Sequence, residues 1–320
     1  MIQTLYLSAI HKTQSIFYSA SPQAEKINRL SYGFLTAASG VLLLVVVLTV
    51  YITIKFRSKA NTTEPRQISG NRKLEIAMVG FPMLLVIVFF FWSLHVMNAV
   101  NPDRGNHKPD VVITGHQWWW EAVYPGSKVT TANEIHLPTG RKLLLQLNSA
   151  DVIHDWWVPS FGAKMDMIPG MNNFLWVTID KPGIYEGTCS EFCGEQHAWM
   201  RIMVVAQNPD DYNKWLLAHT IKAKVPTDAI ALLGEGIFMN SSCSSCHSIQ
   251  GTLATGMEGP NLTHFASRQT MLSGMMDNNP VNVEKWLSDP QKIKPGAHMP
   301  RFIFGKDSVR AITAYLTQLK

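Results

Sequence analysis

Hydrophobic and polar positions divide the 320-residue chain into stretches of different periodicity. The run Tyr32–Ile54, YGFLTAASGVLLLVVVLTVYITI, carries no charge, and neither does Ile76–Met97, IAMVGFPMLLVIVFFFWSLHVM. Each supplies the ~20 apolar residues that a helix needs to cross the hydrocarbon of a bilayer. Both are apolar on every face and long enough to span, which favours membrane helices over a pair of buried core helices. Two transmembrane helices, 32–54 and 76–97, are therefore predicted within an N-terminal segment 1–107. From 108 to 207 the pattern shortens. The β-prone runs DVVITGHQWWWEAVY, KLLLQLNS and NFLWVTI are separated by LPTG, MIPG and KPG, as in an antiparallel β-sandwich. Residues 208–226 are polar and charged and read as a linker. Between 227 and 320 helical spacing returns: the segment before Cys243 reads as a helix, and VRAITAYLTQLK as a closing amphipathic one, so a small all-α domain is expected.

Charge orients this arrangement. The net charge of +5 is concentrated in one loop, where Lys55, Arg57, Lys59, Arg66, Arg72 and Lys73 face only Glu64 and Glu75. The positive-inside rule puts that loop in the cytoplasm. Both termini and everything from Asn101 onward are then extracytoplasmic. The later domains are near neutral or acidic, whereas a nucleic-acid binder would keep its cations on a folded domain. The partner this implies is a lipid bilayer, with no nucleic acid. The first residues lack the basic-then-apolar pattern of a signal peptide.

All four cysteines fall in two clusters. The first lies in GTCSEFCGEQHAWM, with Cys189, Cys193, His197 and Met200 at short spacing and His154 upstream in SADVIHDWWVPSFG. Outside the cytoplasm an isolated cysteine pair defaults to a disulfide, but a Cys-x3-Cys bridge closes a very small loop and gains little. Thiolate, imidazole and thioether form the soft donor set that suits copper, and structural zinc has no use for a thioether. A mononuclear blue site needs one cysteine, two histidines and a weak methionine; here there is a second cysteine. Two coppers bridged by Cys189 and Cys193, with His154, His197 and Met200 as the remaining ligands, would use every donor. Of the neighbouring aromatic run, Trp118 and Trp120 would share one face of a strand and Trp119 the other. Trp120 reads as core, and His116 as a structural hydrogen-bonder rather than a ligand.

The second cluster is Cys243-Ser-Ser-Cys246-His247. Cys-x-x-Cys-His attaches a c-type haem through both thiols, and the histidine binds iron. A thioredoxin-like pair would follow a strand in a βαβ unit, and none is visible. A downstream methionine is the expected sixth ligand, from among Met257, Met271, Met275, Met276 and Met299.

CSEFCGEQHAWM, DVIHDWWVPSFGAKMDMIPG, GHQWWWEAVY and the two preceding spans resemble the subunit II family of haem–copper cytochrome c oxidases over residues 25–207. KPGAHMPRF and EGPNLTHFASR are similar to cytochrome c domains fused to that subunit, the caa3 type. The resemblance implies a cupredoxin fold holding a binuclear copper A centre, and adds the Glu191 carbonyl as a copper ligand. It implies that the Glu191 side chain reaches a magnesium ion shared with subunit I. It points to Trp118 as the surface point where electrons enter, and to Met299 as the sixth haem ligand, with His298 beside it as competitor. It gives Pro260 a carbonyl that accepts from His247, and places Glu75 at the mouth of a proton path. The fold class implied is multidomain: a two-helix transmembrane hairpin, a cupredoxin-like β-sandwich and a class I cytochrome c domain. The implied function is electron input to a terminal oxidase of the bacterial inner membrane. Its partners would be subunit I, the other oxidase subunits and an external donor such as a cytochrome c. Oxygen would be reduced in subunit I, not in this chain. A membrane-anchored copper-delivery protein is the alternative. A quinol oxidase subunit would lack Cys189 and Cys193, and nitrous oxide reductase needs a propeller for which there is no room.

Overall fold

The computed structural model describes residues 15–57, 70–223 and 226–320. Lys59, Glu64 and Arg66 of the basic loop, and the first residues of the chain, lie outside that range. The described chain forms two units, one of residues 25–102 and one that joins the residues before 25 to those from 103 onward.

The first unit is a pair of long apolar helices, α1 (Pro22–Lys55) and α2 (Arg72–Val100). Both outrun the uncharged stretches, because polar residues at their ends extend the helices without facing hydrocarbon. The hydroxyls of Thr36, Thr49 and Thr53 bond to carbonyls one turn earlier, which satisfies these three donors in an apolar surround. Asn71 caps α2 by accepting from the Leu74 N–H at 3.2 Å, and Glu75 accepts from the Asn71 N–H at 3.1 Å. Such a reciprocal cap satisfies donors that a helix start leaves open. The helices approach at Gly33, where a Cβ would lie 2.7 Å from the Trp92 ring.

In the second unit, ten strands build two five-stranded sheets. The first has the order β3 (Val129–Ala132), β2 (Trp119–Tyr124), β1 (Val111–His116), β5 (Lys142–Ser149), β8 (Asn173–Thr178). The second runs β4 (Glu134–Pro138), β10 (Arg201–Gln207), β9 (Gly183–Cys189), β6 (His154–Trp157), β7 (Met165–Met167). Alternating burial along β1 and β2 marks strands with one face in a core. That core includes Ile113, Trp120, Leu145, Trp156, Tyr185 and Val204. The sandwich is not purely antiparallel: β1 runs parallel to β5, and β4 to β10. Residues 18–21 also belong to it. The Ala20 N–H donates to the Ser160 carbonyl, the Asp180 N–H to the Ala20 carbonyl, and the Ser21 hydroxyl to the Phe161 carbonyl.

The segment expected as a plain linker contains a helix, α3 (Pro209–His219), capped by Asn208 through the Asp211 N–H. It packs on the sandwich because Tyr212 is buried and the Trp215 ring stacks on His136 at 4.0 Å. The C-terminal helical domain follows. Its main pair is α4 (Ala229–Met239) and α8 (Lys306–Leu316), with α5 (Cys243–Cys246), α6 (Pro280–Ser288), α7 (Pro290–Ile293) and a ribbon of β11 (Thr270–Met271) and β12 (Met276–Asp277) between them. At the crossing of α4 and α8, a Cβ on Gly234 would lie 1.9 Å from the Ala311 carbonyl. The close approach admits no side chain there.

Candidate metal and haem sites

The first site grows from the pairing of three strands. His154 opens β6, Cys189 closes β9 opposite Trp156, and β10 starts at Arg201. The Cys189 N–H donates to the Met200 carbonyl at 3.0 Å, which pins the neck of the loop from Ser190 to Met200. Inside that loop, Cys193 Sγ lies 3.8 Å from Cys189 Sγ, 3.6 Å from His197 Nδ1 and 3.8 Å from Met200 Sδ. Cys189 Sγ lies 3.9 Å from His154 Nδ1 and 3.2 Å from the Glu191 carbonyl oxygen. The structure thus gathers every residue the sequence proposed for copper. His154, Cys189 and Cys193 also form a compact group of potential metal donors. A sulfur–sulfur distance of 3.8 Å is far from the ~2.05 Å of a disulfide. Two thiols, two imidazoles, a thioether and a carbonyl gathered around two adjacent sulfurs fit soft copper better than zinc.

The surroundings orient these donors. His154 Nε2 bonds to Asp151 Oδ1 at 2.8 Å, leaving Nδ1 toward Cys189. Carboxylates that hold the far nitrogen of a histidine fix its tautomer and raise its basicity as a ligand. Asp151 also accepts from the Gln117 N–H at 2.6 Å and from the Val152 N–H. Burial alone would raise its pKa, but these bonds bring it below the ordinary value. Gly115 makes room for the imidazole, since a Cβ there would lie 2.8 Å from the ring. Between the two thiols, Cys193 S–H favours the Cys189 thiolate and pulls its pKa well down, with His154 assisting and burial opposing. Cys193 is pushed up by the same sharing and by burial. Asp155 is buried with neither oxygen hydrogen-bonded, and burial with neighbouring Asp166 raises it to about 7.

Trp118 departs from expectation. It lies in the turn before β2 rather than on the strand, and at 7% exposure it is not a surface residue. The C-terminal domain covers it: the His298 ring is 5.7 Å from the indole centroid. The indole N–H donates to the Cys193 carbonyl at 2.9 Å, beside a second bond there from Gln117 Nε2 at 2.8 Å. Trp120 is fully buried, as expected. His116 stacks on Trp119 at 4.1 Å with its Nε2 buried and unbonded, so ring stacking rather than hydrogen bonding defines its contact. The Glu191 side chain is exposed, and Glu75 closes the cap of α2. Asp151, Gln117 and Gln196 were missed in the sequence. Only Asp151 left a trace there, three residues before His154 in SADVIH.

At the second site the His247 N–H closes the turn of α5 on the Cys243 carbonyl at 2.9 Å. His247 Nδ1 bonds to the Pro260 carbonyl at 2.8 Å, which leaves Nε2 for iron. Burial lowers the His247 pKa, and the Pro260 bond opposes it, so a neutral ligand nitrogen is favoured. Gly259 lets the Pro260 loop pass close, since its Cβ would lie 2.5 Å from the imidazole. Met299 packs partly buried against the domain core, its carbonyl held by Gln291 at 2.8 Å. These residues fit a covalent haem c: two thiols one turn apart, an oriented imidazole and a downstream thioether.

Comparison with known proteins agrees with this layout. Residues 9–96 match the cytochrome c oxidase subunit II transmembrane domain, 126–207 its periplasmic domain, and 231–320 the cytochrome c family. The chain is 33% identical over 285 residues to cytochrome c oxidase subunit 2 of Alkalihalophilus pseudofirmus, covering 86% of this chain and 82% of that one. It is 32% identical over 277 residues to the Bacillus sp. PS3 subunit, covering 80% and 77%. The solved periplasmic domain of subunit II from Bradyrhizobium japonicum shares 32% identity, with a TM-score of 0.34, over 35% of this chain and 95% of that one. With two apolar helices, a cupredoxin-like sandwich and a helical cytochrome c domain in that order, the chain belongs to the cytochrome c oxidase subunit II family.

Proposed function

We propose that this chain is the electron-input subunit of a caa3-type terminal oxidase. Cys243, Cys246, His247 and Met299 would hold a haem c that takes electrons from an outside donor. His154, Cys189, Glu191, Cys193, His197 and Met200 would hold two coppers that pass the electron on to subunit I, where oxygen would be reduced to water with proton pumping. When bound, both groups supply one-electron redox chemistry.

The observation that carries this reading is the Cys189–Cys193 pair at 3.8 Å, flanked by one imidazole on each sulfur. Each thiol has its own histidine, so the two Cys–His pairs could each hold one metal ion. Asp151 and the Cys189–Met200 backbone bond hold those donors in place, so little needs to move when charge changes. Pro260 does the same for His247. His298 lies against Trp118, which favours Met299 as the iron ligand. Exposed Glu191 is free to reach a magnesium ion shared with subunit I. Glu75 is kept as a proton-path residue only by resemblance. Both long helices would span the inner membrane, with both termini and the metal domains on the outer side.

Optical and electron paramagnetic resonance spectra of the full chain, matured with haem and copper, test the reading. A c-type band beside a multi-line signal from one electron shared over two coppers is expected. A mononuclear copper signal, or loosely held copper passed readily to a chelator, would overturn it in favour of copper delivery.

A further inference from the structure

The sandwich and the cytochrome domain meet at the turn that carries Trp118. The Trp118 carbonyl accepts two hydrogen bonds from the cytochrome domain, from Lys294 Nζ at 2.8 Å and from Ser273 Oγ at 2.9 Å. That fills both lone pairs of the oxygen. Lys294 is 4% exposed, a rare position for an ammonium group, which loses its hydration there. Burial draws its pKa down to about 8. Ser273 and Leu272 both have positive φ, +58° and +56°, a conformation uncommon outside glycine. It turns the serine hydroxyl inward, where it also meets Asn133 Oδ1 at 3.1 Å.

The same contact extends to the loop that holds Cys193 and His197. Gln196 Nε2 donates to the Pro295 carbonyl at 2.5 Å. Gly296, at φ +78°, sits so close that a Cβ would lie 2.1 Å from Glu195 Oε2. His298 then covers the Trp118 indole, and Met299 follows at once. Elsewhere on the interface, buried Glu134 accepts from the N–H groups of Gln269 and Thr270, at 2.6 and 2.8 Å. The indole is therefore bonded to the copper-side loop, while its own carbonyl is held by the haem-side domain.

We propose that Lys294 and Ser273 are positioning residues: a clamp on the Trp118 carbonyl that fixes residues 294–299 over the cysteine loop and shuts the indole off from outside donors. This rests on the assignment of the two redox centres given above. The step concerned is a single-electron transfer, one centre oxidised and the other reduced, with no bond made or broken. With the clamp closed, transfer proceeds from one fixed geometry instead of after a search by a tethered domain.

The test uses the assembled oxidase, wild type and with K294M, S273A and both together. Haem and copper spectra come first; if wild type lacks either centre, it is the functional reading that fails. With spectra unchanged in all variants, the rate of haem c reoxidation after photoreduction is followed in buffers of rising viscosity. The clamp predicts a viscosity-independent wild-type rate, and in the double variant a rate lower by about tenfold or more and falling with viscosity, since losing the charge-assisted Lys294 bond alone shifts docking by about that factor and the neutral Ser273 bond adds to it. A second readout, on the full chain without metals, is oxidative labelling of Trp118: protected in wild type, labelled several times faster in the double variant. Unchanged rates, or an equally protected Trp118 in the double variant, would overturn the clamp.

Discussion

The two candidate redox sites of this chain are built on different principles. In the sandwich, the donors come from the ends of paired strands and one short loop, and His154, Cys189, Cys193 and Met200 are all buried. Strand pairing fixes His154 and Cys189, and the Cys189–Met200 backbone bond closes the loop that carries the rest. In the cytochrome domain the chemistry sits on one turn of helix and two loops. Cys246, His247 and Met299 are partly exposed, and Leu253, Met257 and Ile303 nearby in sequence are strongly so. Small ions suit a site that the protein assembles itself; a large prosthetic group suits a cradle whose apolar walls and covalent anchors are finished by the group. The contrast also separates the two energetically, since a small domain of short helices has less core of its own.

Removing the covalent anchors should give the largest break. C243S/C246S is expected to abolish haem attachment, read by haem staining under denaturing conditions. Amide exchange should rise across residues 231–320 and stay low in β5 and β9. Equal loss of protection in both domains would refute the independence of the two sites. Next in size, M299A should leave haem attached and lower its reduction potential by on the order of 0.1 V, because thioether ligation raises it; redox titration reads this, and an unchanged potential would move the ligand role to His298. D151N keeps the shape but loses the carboxylate that orients His154, and should weaken copper binding by about 10–100-fold with the haem potential unmoved. Competition with a chelator measures it.

The smallest effect concerns the joint between the halves. His136 and His219 flank Trp215, and burial holds both imidazoles at about 4, below their ordinary 6.5. They are neutral when folded, so the unfolded chain binds more protons between those values. Stability from this source is complete above pH 6.5 and is lost as pH falls toward 4, by on the order of a few kcal/mol at most. Thermal melts of the full chain should show H136Q with a shallower acid loss than wild type.

The haem anchor was readable in the sequence because its chemistry is local: Cys243, Cys246 and His247 lie within one turn. The copper-type loop was nearly as legible, with Cys189, Cys193, His197 and Met200 inside twelve residues. What escaped depends on distant partners. Nothing around Trp118 announces Lys294 or Ser273, more than 150 positions away, so a residue expected at the surface is buried. The polar run 208–219 hides a helix because only a few of its residues, Tyr212, Trp215 and Leu216, meet the sandwich. The parallel pairs β1–β5 and β4–β10 carry no strand-level signature, since alternation along a strand says which face is buried and not which neighbour lies beside it.

The hydrogen bonds of residues 20 and 21 to Ser160, Phe161 and Asp180 bear on the order of assembly. That short segment leaves the ribosome before both long apolar helices, yet its partners are made after them. The sandwich therefore cannot close until about 140 later residues have emerged, and it must close on whichever face of the bilayer the segment already occupies. If only one of the two helices crossed, residues 20–21 and their partners would lie on opposite sides. On the proposed two-span topology, completion of the sandwich would act as a proofreading step: only a chain that has gone in and come back could finish folding.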